Sequence, residues 1–433
     1  MRQQRKISFH TLGCKLNQSE TEAIAHEFYL NGYEIIPFGE ETDVCVVNTC
    51  TVTGRTDAKC RQAIRKAHKN SPNAIIAVVG CYAQMDPDSL YTLPGVKIVL
   101  GGDKKFELFQ RIEAYFRLKQ PMVSQSQNNT FIGAHPGSQL IHTRAFLKIQ
   151  DGCNNFCSYC IVPYARGRSR SEPMEKVISD IDRLTDYGYN EIVLTGVHIG
   201  RYGQDLPNKT NIYELLLELQ KREIGTRIRL SSLEPVEISD EMIKLIANSE
   251  IVCPHFHIPL QSGDDQVLAS MNRHYTTEDF STLIYKIREN MPTAAIGTDV
   301  IVGFPGETEH AFETTRALIE KLPLSYLHVF TYSRRRGTKA AEMKQQIPHV
   351  VKKQRSRMLI EMGTVKKNKF YQNSLGKTLK VLFETRNSGR EMYGFSENYI
   401  KVRSNLNVNY FNKITPVEVI ETNEYNVAGT ILS

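Results

Sequence analysis

Tryptophan is absent from all 433 residues, so any stacking on a planar ligand must use Phe, Tyr or Arg. No run of 18 apolar residues occurs, which argues against a membrane-spanning helix. The first residues, MRQQRKISFHTLGC, start basic but meet His10 before any apolar h-region, so they do not read as a secretory signal. Without export, the nine cysteines read as metal ligands or core thiols rather than disulfides, and the chain is expected in the cytoplasm. Repeats and low-complexity tracts are also missing. The length predicts roughly three domains, enough chain to bury real cores without staples.

Charge, by contrast, is concentrated. The net total is only +7, yet residues 334–380 hold 14 Lys and Arg against Glu342 and Glu361 alone. That stretch carries +12 and the remainder −5. A mildly acidic body with one basic segment predicts a polyanionic partner.

Hydrophobic patterning gives an α/β chain. Short β-branched runs at 7–12, 44–48 and 74–79 alternate with helical patterns at 17–31 and 55–69, which predicts a parallel sheet. Residues 121–143 are rich in Ser, Gln, Asn, Gly and Pro and read as a linker. A second series follows, with strands at 145–149, 191–195, 227–231, 255–259, 297–302 and 326–332 and helices between them. Six βα units fit a curved sheet or partial barrel; a full one needs eight. Residues 377–433 alternate like a small all-β module.

Two sets of cysteines stand out. Cys153, Cys157 and Cys160, in QDGCNNFCSYC, place three thiols on one loop just after a strand. Three thiolates can hold an iron–sulfur cubane and leave one iron open to a ligand. A zinc knuckle completed by a distant residue is the alternative. Cys14, Cys50 and Cys81 each follow a strand (HTLGC, VVNTC, VVGC). Carboxyl ends of parallel strands share one edge, where ligands bind. Three thiols there suit a second cluster; the alternative is three unrelated core cysteines. Cys45, Cys60 and Cys253 read as structural.

CNNFCSYC with the partial-barrel pattern resembles the radical S-adenosylmethionine (SAM) superfamily. The upstream set, with LGCKLNQSE and VVNTCTVT, resembles the methylthiotransferases within it. HTLGCKLNQSE, TGRTDAKCRQAIRK and YARGRSRS look most like the branch acting on N6-threonylcarbamoyladenosine (t6A), 3′ of the tRNA anticodon. GCKLN departs from the GCQMN of the isopentenyl-adenosine branch and the GCPKN of the ribosomal-protein branch, which stay as alternatives. The resemblance implies an N-terminal Fe–S domain (1–120), the linker (121–143), a radical SAM domain (144–366) and a TRAM RNA-binding module (367–433). It implies two [4Fe–4S] clusters: a radical-generating one on Cys153, Cys157 and Cys160, and an auxiliary one on Cys14, Cys50 and Cys81. SAM would be both methyl donor and radical source, because the aromatic C2–H bond offers acid–base catalysis no handle. An electron donor such as a flavodoxin or ferredoxin is implied as well.

By position in the superfamily, Gly196 (in LTGVHIG), Ser232 and Glu234 (SSLEP), Gln261 (HIPLQSG) and Asp299 (TDVIVGFPGET) are candidate SAM-side residues at strand ends. A capping or turn role is the alternative for each. His10, His198, His255 and His257 read as satisfied core or edge histidines. Candidate contacts to the anticodon arm are Arg166 and Arg168, Arg334, Arg335 and Arg336, and Lys352, Lys353, Arg355, Arg357, Lys366 and Lys367, with Lys369 beside them. Phe383, Tyr393, Phe395 and Tyr399 are either stacking surfaces for bases or ordinary β core. A different class remains open: a non-catalytic Fe–S or zinc RNA-binding protein.

Overall fold

The computed structural model describes residues 4–134, 137, 142–222, 224–388 and 390–432, without the side chains of 385–388. Part of the expected linker therefore lies outside the described residues. The N-terminal sheet is parallel throughout, in the order β2-β1-β3-β4-β5-β6. Its strands are β1 (Lys6–Thr11), β2 (Glu34–Ile36), β3 (Val44–Thr49), β4 (Ile75–Gly80), β5 (Val96–Leu100) and β6 (Met122–Ser124). Helices α1 (Lys15–Leu30), α2 (Gly54–Asn70), α3 (Cys81–Met85), α4 (Pro87–Tyr91) and α5 (Leu108–Leu118) cover it. VCVVNT and IIAVVG are apolar almost throughout because β3 and β4 are buried on both faces. β6 falls inside the segment expected as linker: its three residues are too few to show periodicity, and only pairing with β5 makes them a strand.

The second series forms two three-stranded parallel sheets, β11-β10-β7 and β12-β13-β14. Its strands are β7 (Ala145–Lys148), β10 (Glu191–Thr195), β11 (Arg227–Leu230), β12 (His255–His257), β13 (Ala295–Val302) and β14 (Tyr326–Thr331). A bridge between Ile228 and Val252 joins the two sheets into one open six-stranded arc. A short antiparallel pair, β8 (Gln150–Asp151) and β9 (Arg170–Ser171), brackets the cysteine loop, with α6 (Val162–Arg166) between them. Helices α7 (Met174–Asp186), α8 (Ile212–Gln220), α9 (Asp240–Ala247), α10 (Asp265–Ser270), α11 (Thr277–Asn290) and α12 (Glu309–Lys321) flank the arc.

Strand alternation divides the arc into two faces. Ile192, Leu194, Ile228, Phe256, Ile296 and Val300 join the apolar core. Their neighbours Glu191, Arg227, Arg229, His255, His257, Asp299, Tyr326 and His328 form a polar lumen. The arc's open edges are covered by other parts of the chain. Helix α1 packs on β7, and α14 (His349–Gln372), which follows α13 (Lys339–Glu342), packs on β14.

The C-terminal residues close a five-stranded barrel, β15-β16-β17-β19-β18. These strands are β15 (Thr378–Ser388), β16 (Glu391–Ser396), β17 (Lys401–Asn405), β18 (Ile414–Thr422) and β19 (Val427–Ile431). Val381, Phe383, Met392, Val402 and Val417 fill it. No helix among the described residues is long and apolar enough to cross a membrane.

Candidate active site

Cys14 stands at the N-cap of α1, Cys50 directly after β3, and Cys81 opens α3 directly after β4. β1, β3 and β4 are adjacent and parallel, so the three cysteines share one sheet edge. Asn17 ties the loops by donating to Leu12 O (2.8 Å) and Thr49 O (3.1 Å). Gly80, at φ +99°, is the bend that delivers Cys81; a Cβ there would collide with Asn48 Oδ1 and the Thr49 backbone. Burial, followed by the neighbouring Cys81 and Cys14 thiols, pushes Cys50 up to about 12. Burial likewise raises Cys81, while Arg166 and Lys105 pull it back.

The second set is bounded by two polar arms. Arg273 donates to Cys157 Sγ at 3.3 Å and pairs with Glu234. His198 Nδ1 lies 3.7 Å from Cys153 Sγ, and its Nε2 lies 2.6 Å from Glu237. Burial opposes charge on this imidazole, but Cys153 and Glu237 raise it to about 9. Burial and the Cys157 thiol push Cys160 up to about 12.

Cys50 and Cys81 in the first set, and Cys157 and Cys160 in the second, are buried thiols that resist ionising. Binding a cationic iron centre reverses that preference, because ligation drives off the thiol proton. Among the described residues no three His, Cys, Asp or Glu side chains close on a single ion; the fit to a cluster rests on the shared thiol field.

A buried ionic network joins the two cysteine regions. Arg166, on α6, donates to Glu20 Oε1 (3.0 Å) and Oε2 (3.1 Å) and to Asn17 Oδ1 (2.6 Å) of α1, and to Asp151 (3.0 Å). Lys105 pairs with Glu20 at 2.7 Å, Lys148 with Asp151 at 2.7 Å, and Arg170 with Asp151 at 3.6 Å. Four cations thus face two carboxylates, leaving a positive excess beside Cys81 and Cys14. Arg166 is therefore corrected as an RNA contact: it is 5% exposed, its guanidinium spent, together with Lys105, Lys148 and Arg170, on the carboxylates buried around it.

The proposed SAM-side residues fall into two groups. Ser232 Oγ is 2.5 Å from His257 Nδ1, and His257 Nε2 is 3.1 Å from Asp299. Glu234 is instead the partner of Arg273. Gln261 holds φ +63° and joins β13 through the Asp299 carbonyl (2.8 Å). Gly196 passes so close to Gln150 that a Cβ would lie 2.8 Å from its Oε1.

The basic segment divides as well. Arg335 turns inward to Thr51 (2.7 Å) and Asp57 (2.8 Å), beside Cys50. Arg355 is buried on Glu307 (2.6 Å) and Glu309 (2.8 Å). Lys366 donates to the Leu322 carbonyl (2.8 Å) and Lys352 to that of Tyr332 (3.2 Å). These four are corrected from RNA contacts to internal ties, since each satisfies a charge or carbonyl within the fold. Lys367 is half-buried over Tyr371, while Arg168, Arg334, Arg336, Lys353, Arg357 and Lys369 remain exposed. Of the two alternatives left for the aromatics, the interior one holds for three of them. Phe383 is core, and Phe395 and Tyr399 stack on each other (5.0 Å) toward the lumen. Sequence reasoning assigned His198 only a satisfied structural role and found no signal for Arg273 and Glu20, whose partners Cys157 and Arg166 lie more than a hundred residues away along the chain.

An open arc of parallel strands with a C-x3-C-x2-C loop at its mouth is the architecture of a radical SAM enzyme. Residues 147–319 match the Radical SAM superfamily, and residues 6–101 match a family described as Uncharacterized protein family UPF0004. The radical SAM methyltransferase TsrM from Kitasatospora setae superposes with a TM-score of 0.57 at 13% identity, covering 89% of this chain and 79% of that one; this is a likeness of fold. Threonylcarbamoyladenosine tRNA methylthiotransferase MtaB of Aquifex aeolicus is 40% identical over 92% of this chain and 96% of its own length. Its Bacillus subtilis counterpart is 41% identical over 96% and 94%. A tRNA-2-methylthio-N(6)-dimethylallyladenosine synthase of Clostridium novyi is 33% identical over 99% and 97%. The chain belongs to the MtaB family of radical SAM tRNA methylthiotransferases. Its chemistry uses an iron–sulfur cluster and S-adenosylmethionine, and its C-terminal barrel is the family's TRAM module.

Proposed function

We propose that this enzyme attaches a methylthio group to C2 of t6A in the tRNA anticodon arm, giving 2-methylthio-t6A. The observation that carries this reading is the pair of cysteine sets joined through Arg166, one on each side of the domain junction. In this reading residues 1–120 hold the auxiliary cluster, 144–366 form the radical domain and 367–433 bind RNA. Cys153, Cys157 and Cys160 ligate a [4Fe–4S] cluster, and Cys14, Cys50 and Cys81 a second one that carries the sulfur to be transferred. Loaded with SAM, the first cluster supplies the one-electron chemistry that an aromatic C–H bond requires.

The protein's own residues orient and neutralise. His198, held by Glu237, fixes Cys153, as Arg273, held by Glu234, fixes Cys157. Ser232, Asp299 and Gln261 offer polar groups to SAM at the strand ends, with His257 locked between the first two, and Gly196 lets Gln150 pack against the end of β10. Arg166 and Lys105 set a positive field behind Cys81. Exposed Arg168, Arg334, Arg336, Lys353 and Arg357 meet backbone phosphates. A flavodoxin or ferredoxin supplies the electron in the cytoplasm.

Anaerobically reconstituted protein is expected to hold about eight Fe per chain. Cys153→Ala should abolish SAM cleavage and keep about half the iron; retained cleavage contradicts the assignment of roles. Nucleoside mass spectrometry of tRNA from cells lacking the gene should show t6A without its 2-methylthio form. Loss of the methylthio group from isopentenyl-adenosine instead would overturn the substrate.

A further inference from the structure

Resting on the t6A reading, we propose that Lys15 is the residue that selects this substrate, by pairing with the carboxylate of its threonyl group. Lys15 directly follows Cys14 and is the first residue of α1, the helix packed along the open edge of the arc. Its ammonium lies 5.9 Å from the centre of the Tyr399 ring, at the lumen.

The lumen's other cations are already satisfied. Arg227 and Arg229 share Glu191 at 2.6 and 2.8 Å, and both also donate to TRAM backbone carbonyls. Arg144 pairs with Glu384 at 3.1 Å. Lys15 makes neither an ion pair nor a hydrogen bond with any described residue, and its side chain is half-buried.

The surroundings favour an anion. Burial and nearby cations push the His255 and His328 imidazoles down, so both are neutral and add no competing charge. Burial alone would raise the Tyr399 phenol, yet Lys15, Arg144 and Arg229 bring it below its ordinary value. A half-buried ammonium with no ion-pair partner among the described residues is free to take a carboxylate from a ligand, in a charge-assisted pair.

The substrate supplies one at the right edge. Sulfur held near Cys14 must reach C2, while the threonylcarbamoyl group extends from N6 across the same ring. A residue beside Cys14 that faces the lumen is placed for that extension. A base with an uncharged N6 substituent would leave Lys15 unpaired, and sites built around a polar partner reject ligands lacking it. The carboxylate could instead come from the methionine part of SAM, which the test separates.

The holoenzyme is assayed on two anticodon stem-loop RNAs, one carrying t6A and one carrying the carboxamide of its threonyl group. The expected kcat/KM of wild type favours the acid by about tenfold, the usual scale for one charge-assisted hydrogen bond. K15Q should bring the ratio close to one, and K15R should restore most of it. Fluorescence anisotropy of stem-loop binding should show the same loss of discrimination. An unchanged ratio in K15Q, or a raised KM for SAM with the ratio intact, overturns the proposal. Wild type that modifies neither RNA overturns the substrate reading itself.

Discussion

Arg166 touches Asn17 and Glu20 of the first domain and Asp151 of the second, and it is buried. Burial pushes the Glu20 carboxyl up, but Arg166, Lys105 and Lys148 together bring it down to about 2. A carboxyl lower in the folded than in the unfolded state stabilises above its unfolded value. That stabilisation is lost as pH falls from about 4.5 toward 2. Equilibrium unfolding of wild type should therefore weaken through that window, and Glu20→Gln should lack this component. At neutral pH, Arg166→Ala takes the bidentate donor from Glu20 and a donor from Asp151 and Asn17, while Lys105, Lys148 and Arg170 still face the carboxylates, and should cost about 1.5–3 kcal/mol in the same measurement. RGRSR in the sequence is only a basic turn near three cysteines. Which of its arginines faces inward depends on carboxylates more than a hundred residues away in Glu20's case, and local pattern carries no record of them.

At the scale of elements, the βα unit does most of the positioning. β-branched runs make the strands, parallel pairing brings their carboxyl ends to one edge, and the cysteine after each strand arrives there automatically. This is why the Cys14, Cys50 and Cys81 set is legible from spacing alone. The bend at Gly80 is a tighter requirement. Gly80→Ala should displace Cys81, because the positive φ is strained and the added Cβ strikes Asn48 and the Thr49 backbone. If the proposed second cluster sits on this set, the expected result is loss of about half the iron with SAM cleavage retained, read by iron analysis and product chromatography. Helix α14 shows the limit of sequence patterning: its charges are evident, but only docking on β14 and α12 decides that Arg355 is buried while Arg357 is exposed.

For the whole molecule, the TRAM barrel is a structural part of the radical domain. Arg227 donates to Lys380 O (2.8 Å) and Phe395 O (2.7 Å), and Arg229 to Ser396 O (3.0 Å) and Glu397 O (2.9 Å). Tyr399 stacks on His255 with centroids 4.4 Å apart, inside the arc. Removing the residues after 376 would strip carbonyl partners from two buried guanidinium groups. The truncated chain should unfold at markedly lower denaturant than the full chain; equal stability with weaker tRNA binding alone would mean the barrel is a detachable RNA module. The basic segment has a narrower role than its +12 suggests, because Lys352, Arg355 and Lys366 are spent inside the radical domain and Arg335 on Asp57 of the first domain, so that only the exposed remainder is left for a polyanion.

The sequence by itself determined the fold class, the cysteine sets and the family, because these depend on local periodicity and on residues placed at fixed offsets from strand ends. Only the tertiary structure decided which charges are spent internally and which are left free. Ion pairing is set by distance in space, and partners such as Glu20 with Arg166, or Arg229 with the TRAM carbonyls, meet only after the chain has folded.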